Sequence, residues 1–217
     1  MSKKISKRYK KLTEDTKGIK VKTLEETIKK VKENCTSKFD ESIDISLKLN
    51  LKKKKEEITL RTVVNLPNGN GKKIKVAVLC EEGKVNEAKD SGADIYGSEN
   101  LTNEISSGKI NFDKLVATPA MMSKMGKLGK ILGPKGLMPN PKLGTVTNDI
   151  KKTVKALKEG QIEIKNDKDG NLSASIGKKS FTDLKIIENF NEFIQTIQKE
   201  KPSGLKGDFI LSAFLTS

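Results

Sequence analysis

Apolar residues recur along this chain with two periods, and the places where one gives way to the other mark its organisation. Behind Thr23, which forms a capping box with Glu26, Leu24, Ile28, Val31 and Cys35 follow at helical spacing. That spacing predicts an amphipathic helix. Ile43, Ile45, Leu47, Leu49 and Leu51 then alternate strictly with polar residues, the pattern of a half-buried strand. A charged turn over 52–57 and a second alternation through Ile58, Leu60, Thr62 and Val64 predict an antiparallel partner for it.

The run Asn65-Leu66-Pro67-Asn68-Gly69-Asn70-Gly71 interrupts both periods. Pro and Asn-Gly pairs are strong breakers, and here they predict a hinge. Short strands at 74–80, 95–96 and 115–118 then alternate with helices at 85–91 and 101–105, which predicts a parallel sheet. A helix carrying Ile150, Val154 and Leu157 stops at Gly160. Past it, strands at 161–165 and 172–176 flank Asp167-Lys168-Asp169-Gly170, a hairpin turn signature. Ser180 with Asp183 predicts the cap of a helix with Leu184, Ile187, Phe190, Ile194 and Ile197 on one face, and 209–215 reads as a final strand. The expected fold is α+β: an antiparallel domain split between residues 1–67 and 160–217, with an α/β domain inserted at 68–159. Two crossings, at Pro67 and Gly160, would form one hinge.

Charge changes this picture most. Lysine and arginine number 43 against 28 acids, a net of +15 over 217 residues. Such a balance favours a polyanionic partner through counterion release and long-range attraction, although lysine-rich surfaces also serve solubility. Only Arg8 and Arg61 are arginines. Lysine acts as a point charge on phosphate, whereas arginine supplies the fork that reads guanine edges, so backbone and shape recognition are expected over a base code. Residues 1–67 carry a net of +9, 68–159 of +6, and 160–217 of zero.

Chemistry is sparse. Histidine is absent, which removes the commonest general base and metal ligand. Cys35 and Cys80 stand far apart at apolar-periodic positions, so buried thiols are expected, not a zinc site or a disulfide. Residues 1–12 lack the apolar stretch of a secretory signal, and the apolar run 209–215 is too short to span a bilayer. The reading is of a soluble, cytosolic, non-catalytic chain without metal or cofactor.

Four segments carry binding potential. Residues 126–142 combine glycines, prolines and Lys127, Lys130, Lys135 and Lys142 with no acid, either a phosphate cradle or a rigid solvated loop. Lys38-Phe39-Asp40-Glu41 places a ring beside a cation, for packing on a ribose or base, or else as a plug in the helix–strand corner. Lys3, Lys4, Lys7, Arg8, Lys10 and Lys11 form a basic arm. Gly177-Lys178-Lys179-Ser180 stands where a helix start could hold a phosphate, although a cap explains it equally.

The run from Leu128 through Gly133-Pro134-Lys135-Gly136-Leu137-Met138-Pro139-Asn140-Pro141 to Lys142 closely resembles the signature of the large-subunit ribosomal protein L-one family, of bacterial type. Leu66-Pro67-Asn68-Gly69, Lys38-Phe39-Asp40-Glu41, Gly92-Ala93-Asp94, Ala117-Thr118-Pro119, Ile176-Gly177-Lys178 and Lys201-Pro202 recur in register. The resemblance covers nearly the whole chain. It implies a split α+β domain that binds large-subunit rRNA, and an inserted Rossmann-like, three-layer α/β/α domain. It further implies a place in the mobile stalk beside the tRNA exit site, contact with departing tRNA, and repression of the chain's own mRNA. Free, such a protein would be a monomer. By position, Lys3, Lys4, Lys7, Arg8, Lys38, Phe39 and Lys178 would contact RNA, and Ser212, Thr216 and Ser217 would offer hydroxyls to ribose. Lys127, Lys130, Lys135 and Lys142 would form a second, stalk- or tRNA-side contact. The family pattern continues after Thr216-Ser217 with Thr-Met-Gly, where this sequence ends, so either the sequence is shorter than the family's or its RNA affinity is reduced. The alternative is a nucleotide-binding protein or enzyme using the Rossmann-like insert.

Overall fold

The structure is a computed structural model that describes residues 6–16, 23–50, 60–202, 205 and 207–217. Lys3, Lys4, Leu51, the charged turn at 52–57 and Ile58 lie outside the described residues. The basic stretch that follows Ser6 is helical, α1 (Lys7–Thr16), with the Ser6 hydroxyl accepting the Tyr9 N–H. Lys, Arg and Leu are good helix formers, and a serine at the first turn supplies the cap. In α2 (Leu24–Asn34) the Thr23 side chain accepts the Glu26 N–H, as the capping box predicts, and Ile28 is fully buried.

β1 (Ser42–Leu49) shows the expected alternation, with Ile43, Ile45, Leu47 and Leu49 buried. The expectation that 58–64 pairs with it is overturned. β2 (Arg61–Asn65) pairs instead with a strand about a hundred residues later, because both edges of β1 are already occupied.

The central stretch holds β3 (Val76–Leu79), α3 (Val85–Asp90), β4 (Ile95–Gly97), α4 (Glu99–Ser106), β5 (Lys114–Ala117), α5 (Met122–Met125), α6 (Gly129–Leu132) and α7 (Ile150–Glu159). β4, β3 and β5 lie side by side in that order, all parallel. Ala77, Leu79, Leu115 and Ala117 face a core shared with Leu101, Ile105, Met125, Leu128 and Leu132. Val76, Val78 and Val116 face the opposite core, with Ala88, Val154 and Leu157. Side chains alternate across a strand, so helices cover both faces of this sheet. The 126–142 run is therefore not a solvated loop. It winds through short helical turns that bury Leu128, Leu132 and Leu143 and leave Lys127, Lys130, Lys135 and Lys142 exposed.

The last stretch holds β6 (Gln161–Lys165), β7 (Asn171–Lys178), α8 (Asp183–Lys199) and β8 (Ile210–Thr216). Asp167 and Gly170 form a tight turn, with the Gly170 N–H donating to the Asp167 carbonyl. The strands on either side, however, do not form the predicted hairpin: β6 pairs with β2, and β7 with β1. Buried Asn166 separates them. Its Oδ1 accepts the Leu60 N–H at 2.6 Å, and its Nδ2 donates to the Asp167 carbonyl. α8 begins after Thr182, so Ser180 is not its cap. The helix face is also rotated from the predicted one. Ile186, Asn189, Phe193 and Ile197 are buried, Ile187, Phe190 and Ile194 partly so, and Leu184 is exposed.

β7, β1 and β8 form one antiparallel sheet, β2 and β6 another. Both sheets and helices α2 and α8 share a single core, largely aliphatic but centred on fully buried Phe193 and joined by Phe209, drawn wholly from residues before 67 and after 161. Between this core and the central one the chain crosses at 66–70 and again at 160, and the two crossings touch. A Cβ on Gly160 would lie 2.3 Å from the Gly69 Cα, and both glycines have positive φ. Only glycine fits there without strain.

Fully buried Asn189 fixes the first crossing. Its Oδ1 accepts the Asn68 N–H, and its Nδ2 donates to the carbonyls of Gly69 and Ile176. Replacing it by Leu strands three backbone groups. We expect Asn189→Leu to lower unfolding free energy by about 3 kcal/mol in urea titrations, since each orphaned group costs roughly 1–3 kcal/mol. A loss below about 1 kcal/mol would show that the crossing is held by something else.

Candidate nucleic-acid interface

The turn from α2 to β1 is held by side chains on both sides of it. The Ser180 hydroxyl and N–H both donate to the Asp40 carboxylate, at 2.8 and 3.0 Å. These bonds, with Lys178 and Lys179 nearby, hold the Asp40 pKa below the usual carboxylate range. Glu41 is buried and accepts the Ser37 N–H, with Arg8 at 3.4 Å, so its pKa is lowered too, chiefly by Ser37. Lys179 donates to the Cys35 carbonyl at 2.6 Å, and Lys32 pairs with Asp183 at 2.6 Å. The turn is thus fixed without its aromatic residue. Phe39 stands 70% exposed, which removes the corner-plug reading.

The β7-β1-β8 sheet has one buried and one open face. The register aligns Asn171, Lys48 and Ser212 in one row, Ser173, Ser46 and Phe214 in the next, and Ser175, Asp44 and Thr216 in the third. Lys178 lies opposite Ser42 at the end nearest the Phe39 turn, and it donates to the Asp40 carbonyl at 3.3 Å. These are the alternate positions to the buried Ile43, Ile45 and Leu47, so they share the face away from the core. The face is built from hydroxyls and small polar groups, although the Ser175 hydroxyl oxygen is itself buried. The Ser46 and Ser173 hydroxyls lie 3.0 Å apart, and Phe214 is 62% exposed between rows of polar side chains.

The fold therefore gathers most of the predicted contacts in one region. Arg8, Lys38, Phe39 and Lys178 meet around the α2–β1 turn, and Ser212 and Thr216 are laid along the open sheet face, with Ser217 directly following. Lys7 lies on α1 beside Arg8, whose guanidinium is partly engaged by Ser37 and Glu41. Lys127, Lys130, Lys135 and Lys142 stand apart, over the central core. Among the described residues no cluster of His, Cys, Asp and Glu could hold a metal ion, and no helix is long and apolar enough to cross a membrane.

A family model described as the ribosomal protein L1p/L10e family matches residues 31–217. The chain belongs to that family.

The chain is 57% identical over 213 residues to the large ribosomal subunit protein uL1 of Pelagibacter ubique (strain HTCC1062), covering 98% of this chain and 93% of that protein. It is 45% identical to the uL1 of Rickettsia canadensis (strain McKiel), over 97% of this chain and 88% of that protein. The Rickettsia akari (strain Hartford) protein is 46% identical over 96% of this chain and 88% of that protein. In this L1p/L10e chain, sequence reasoning did not single out Ser42, Asp44, Ser46, Ser173, Ser175 and Phe214. The signal was present in part, since the polar positions between the buried isoleucines of β1 were legible. Which strands would flank them was not.

Because Phe39 touches no core, Phe39→Ala should change unfolding free energy by less than about 0.5 kcal/mol in chemical denaturation. A plug would cost about 3 kcal/mol or more.

Proposed function

We propose that this chain is a non-catalytic constituent of the large ribosomal subunit that binds folded rRNA across the open face of the β7-β1-β8 sheet and the adjoining α2–β1 turn. The observation that carries this reading is an exposed aromatic on a rigid turn, next to an uncovered sheet face lined with hydroxyls and flanked by cations. Aromatic rings pack on unstacked bases and riboses, and small hydroxyls at close backbone approach suit the 2′-OH that distinguishes RNA from DNA. Membership of a ribosomal family, and relatives named as large-subunit proteins, support it.

In this proposal the chain divides into a split RNA-binding domain, 1–67 with 160–217, and an insert, 68–159, joined by the paired glycine crossings. The separate cores and the change of sheet type at those crossings support that division. Lys3, Lys4, Lys7, Arg8, Lys38 and Lys178 supply phosphate contacts, Phe39 packs against the RNA, and Ser212, Thr216 and Ser217 face ribose. The insert presents Lys127, Lys130, Lys135 and Lys142 to exit-site tRNA as the stalk moves. The same rRNA-reading face also recognises the chain's own mRNA and represses its translation. The site of action is the cytoplasmic ribosome.

Binding of the full chain to a transcript of the stalk rRNA segment tests this. Log affinity should fall steeply and linearly with log salt, by close to one unit of slope for each phosphate neutralised. Phe39→Ala should weaken binding by about 1–3 kcal/mol at constant slope. A flat salt dependence together with an unaltered Phe39→Ala affinity would overturn the proposal.

A further inference from the structure

Phe214 is not explained by the fold. A phenylalanine side chain left 62% exposed in mid-strand forgoes most of the apolar burial that its ring would gain in the core. Leu211, at the irregularity in the β1–β8 register, is also 54% exposed, and the adjacent Ala213 is exposed as well. Leu215 and Ile210 pack against the core, whereas Phe214 sits on the opposite face, across from Ser46, whose own partner on β7 is Ser173. The ring is thus an apolar plate whose cross-strand neighbours, Ser46 and Ser173, are polar.

The row beside it holds the only acid among the face positions named above. Asp44 is exposed, lies opposite Thr216, and is flanked on the other side by Ser175. No ion pair of Asp44 occurs among those found in the described residues. A carboxylate repels phosphate, so on a face that otherwise suits RNA it marks a place where something other than the backbone must sit. Asp44 and Phe214 are diagonal neighbours across the β1–β8 pair, a separation of about 7–8 Å between strand positions. A nucleobase lying on the ring spans that gap with its edge.

We propose that Phe214 and Asp44 form a pocketless reading site for one unpaired guanine: the base stacks on Phe214 and its Watson–Crick edge donates to the Asp44 carboxylate. Guanine fits because its N1–H and N2–H donors are adjacent and match the two carboxylate oxygens. Cytosine and adenine present one amino group beside an acceptor that the carboxylate repels, and uracil a single imino donor between two carbonyls. Bases extruded from loops are read in this way, by stacking and by hydrogen bonds to their Watson–Crick edges. Duplex RNA keeps its bases stacked and cannot reach the plate. This inference rests on the proposed RNA-binding face and assigns the base that this face reads.

The test uses the full chain with two probes, read by fluorescence anisotropy at fixed salt. One is the stalk rRNA transcript; the other is a set of four oligouridine octamers differing only in one central nucleotide, G, A, C or U. The wild type should prefer the G octamer several-fold. Phe214→Ala should weaken binding of that octamer about tenfold, in line with loss of one stacked base, and Phe214→Tyr should preserve it. Asp44→Asn should bring the four octamers within about twofold of one another while leaving stacking intact. Both positions are exposed, and circular dichroism checks that each variant is folded. If the wild type does not distinguish the octamers, or Phe214→Ala binds the G octamer within twofold of wild type, the inference is overturned. The Phe39→Ala variant separates the two claims. If it loses rRNA affinity while Phe214→Ala does not, the RNA-binding face stands and the reading site falls; if neither variant loses any, the face itself is wrong.

Discussion

The pairing of β1 with two strands that arrive from the far end of the chain is the constraint on which the rest of the structure depends. β7 occupies one edge of β1 and β8 the other, each more than a hundred residues away in sequence. With both edges taken, β2 must find another partner, and it finds β6. The chain between β2 and β6 is then free to build a core of its own, because its entry and exit are held side by side. The touching glycines at 69 and 160 are the geometric expression of that demand. At this crossing the place of a Gly160 Cβ is taken by the Gly69 backbone, so only glycine fits.

The same pairing decides where an open surface exists. An antiparallel sheet can bury one face and leave the other to solvent. Here helices α2 and α8 and the β2–β6 pair cover the aliphatic face. No described element packs its apolar residues on the other, which carries serines, threonine, a lysine, an acid and one ring. A parallel sheet has no such choice. β4, β3 and β5 are covered by apolar side chains on both sides, so the insert offers partners its helical turns and their lysines, not its strands.

The elements whose signals are local were legible in the sequence. The capping box of α2, the alternation in β1, the parallel strands of the insert and the helix stop at Gly160 all follow from spacing over fewer than twenty residues. Partner choice was not legible, because it depends on competition for strand edges that no single segment displays. The hairpin signature at Asp167–Gly170 gave a true turn and a false ladder, since Asn166 diverts the backbone before the turn begins. In α8 the predicted face was off by one position: Ile186, Asn189 and Phe193 meet the core, so Ile187, Phe190 and Ile194 lie at its margin and Leu184 on the far side of the helix. For the candidate site, Phe39, Lys38 and Lys178 were named from motif and charge, and the structure places them together. Phe214 and Asp44 were missed because neither belongs to a motif. Their relation exists only once β8 lies against β1.

On the proposed reading, charge and recognition occupy different parts of this molecule. The net of +9 in residues 1–67 and +6 in 68–159 draws any polyanion, duplex or not, and lysine ammonium groups discriminate little among phosphates. Discrimination requires groups that fit one ligand and lose affinity with others. Those groups belong where the cations are few, since a carboxylate surrounded by ammonium groups would be paired and silent. Asp40 and Glu41 are already occupied, chiefly by Ser180 and Ser37 with cations nearby, and both serve to hold the turn. Asp44, three residues on and turned to the open face, sits opposite Thr216 and beside Ser175, with no cation across from it in the ladder. On the proposed reading, the lysines would bring RNA to the protein at a rate and strength set by salt, and the quiet centre of the sheet would decide which RNA stays.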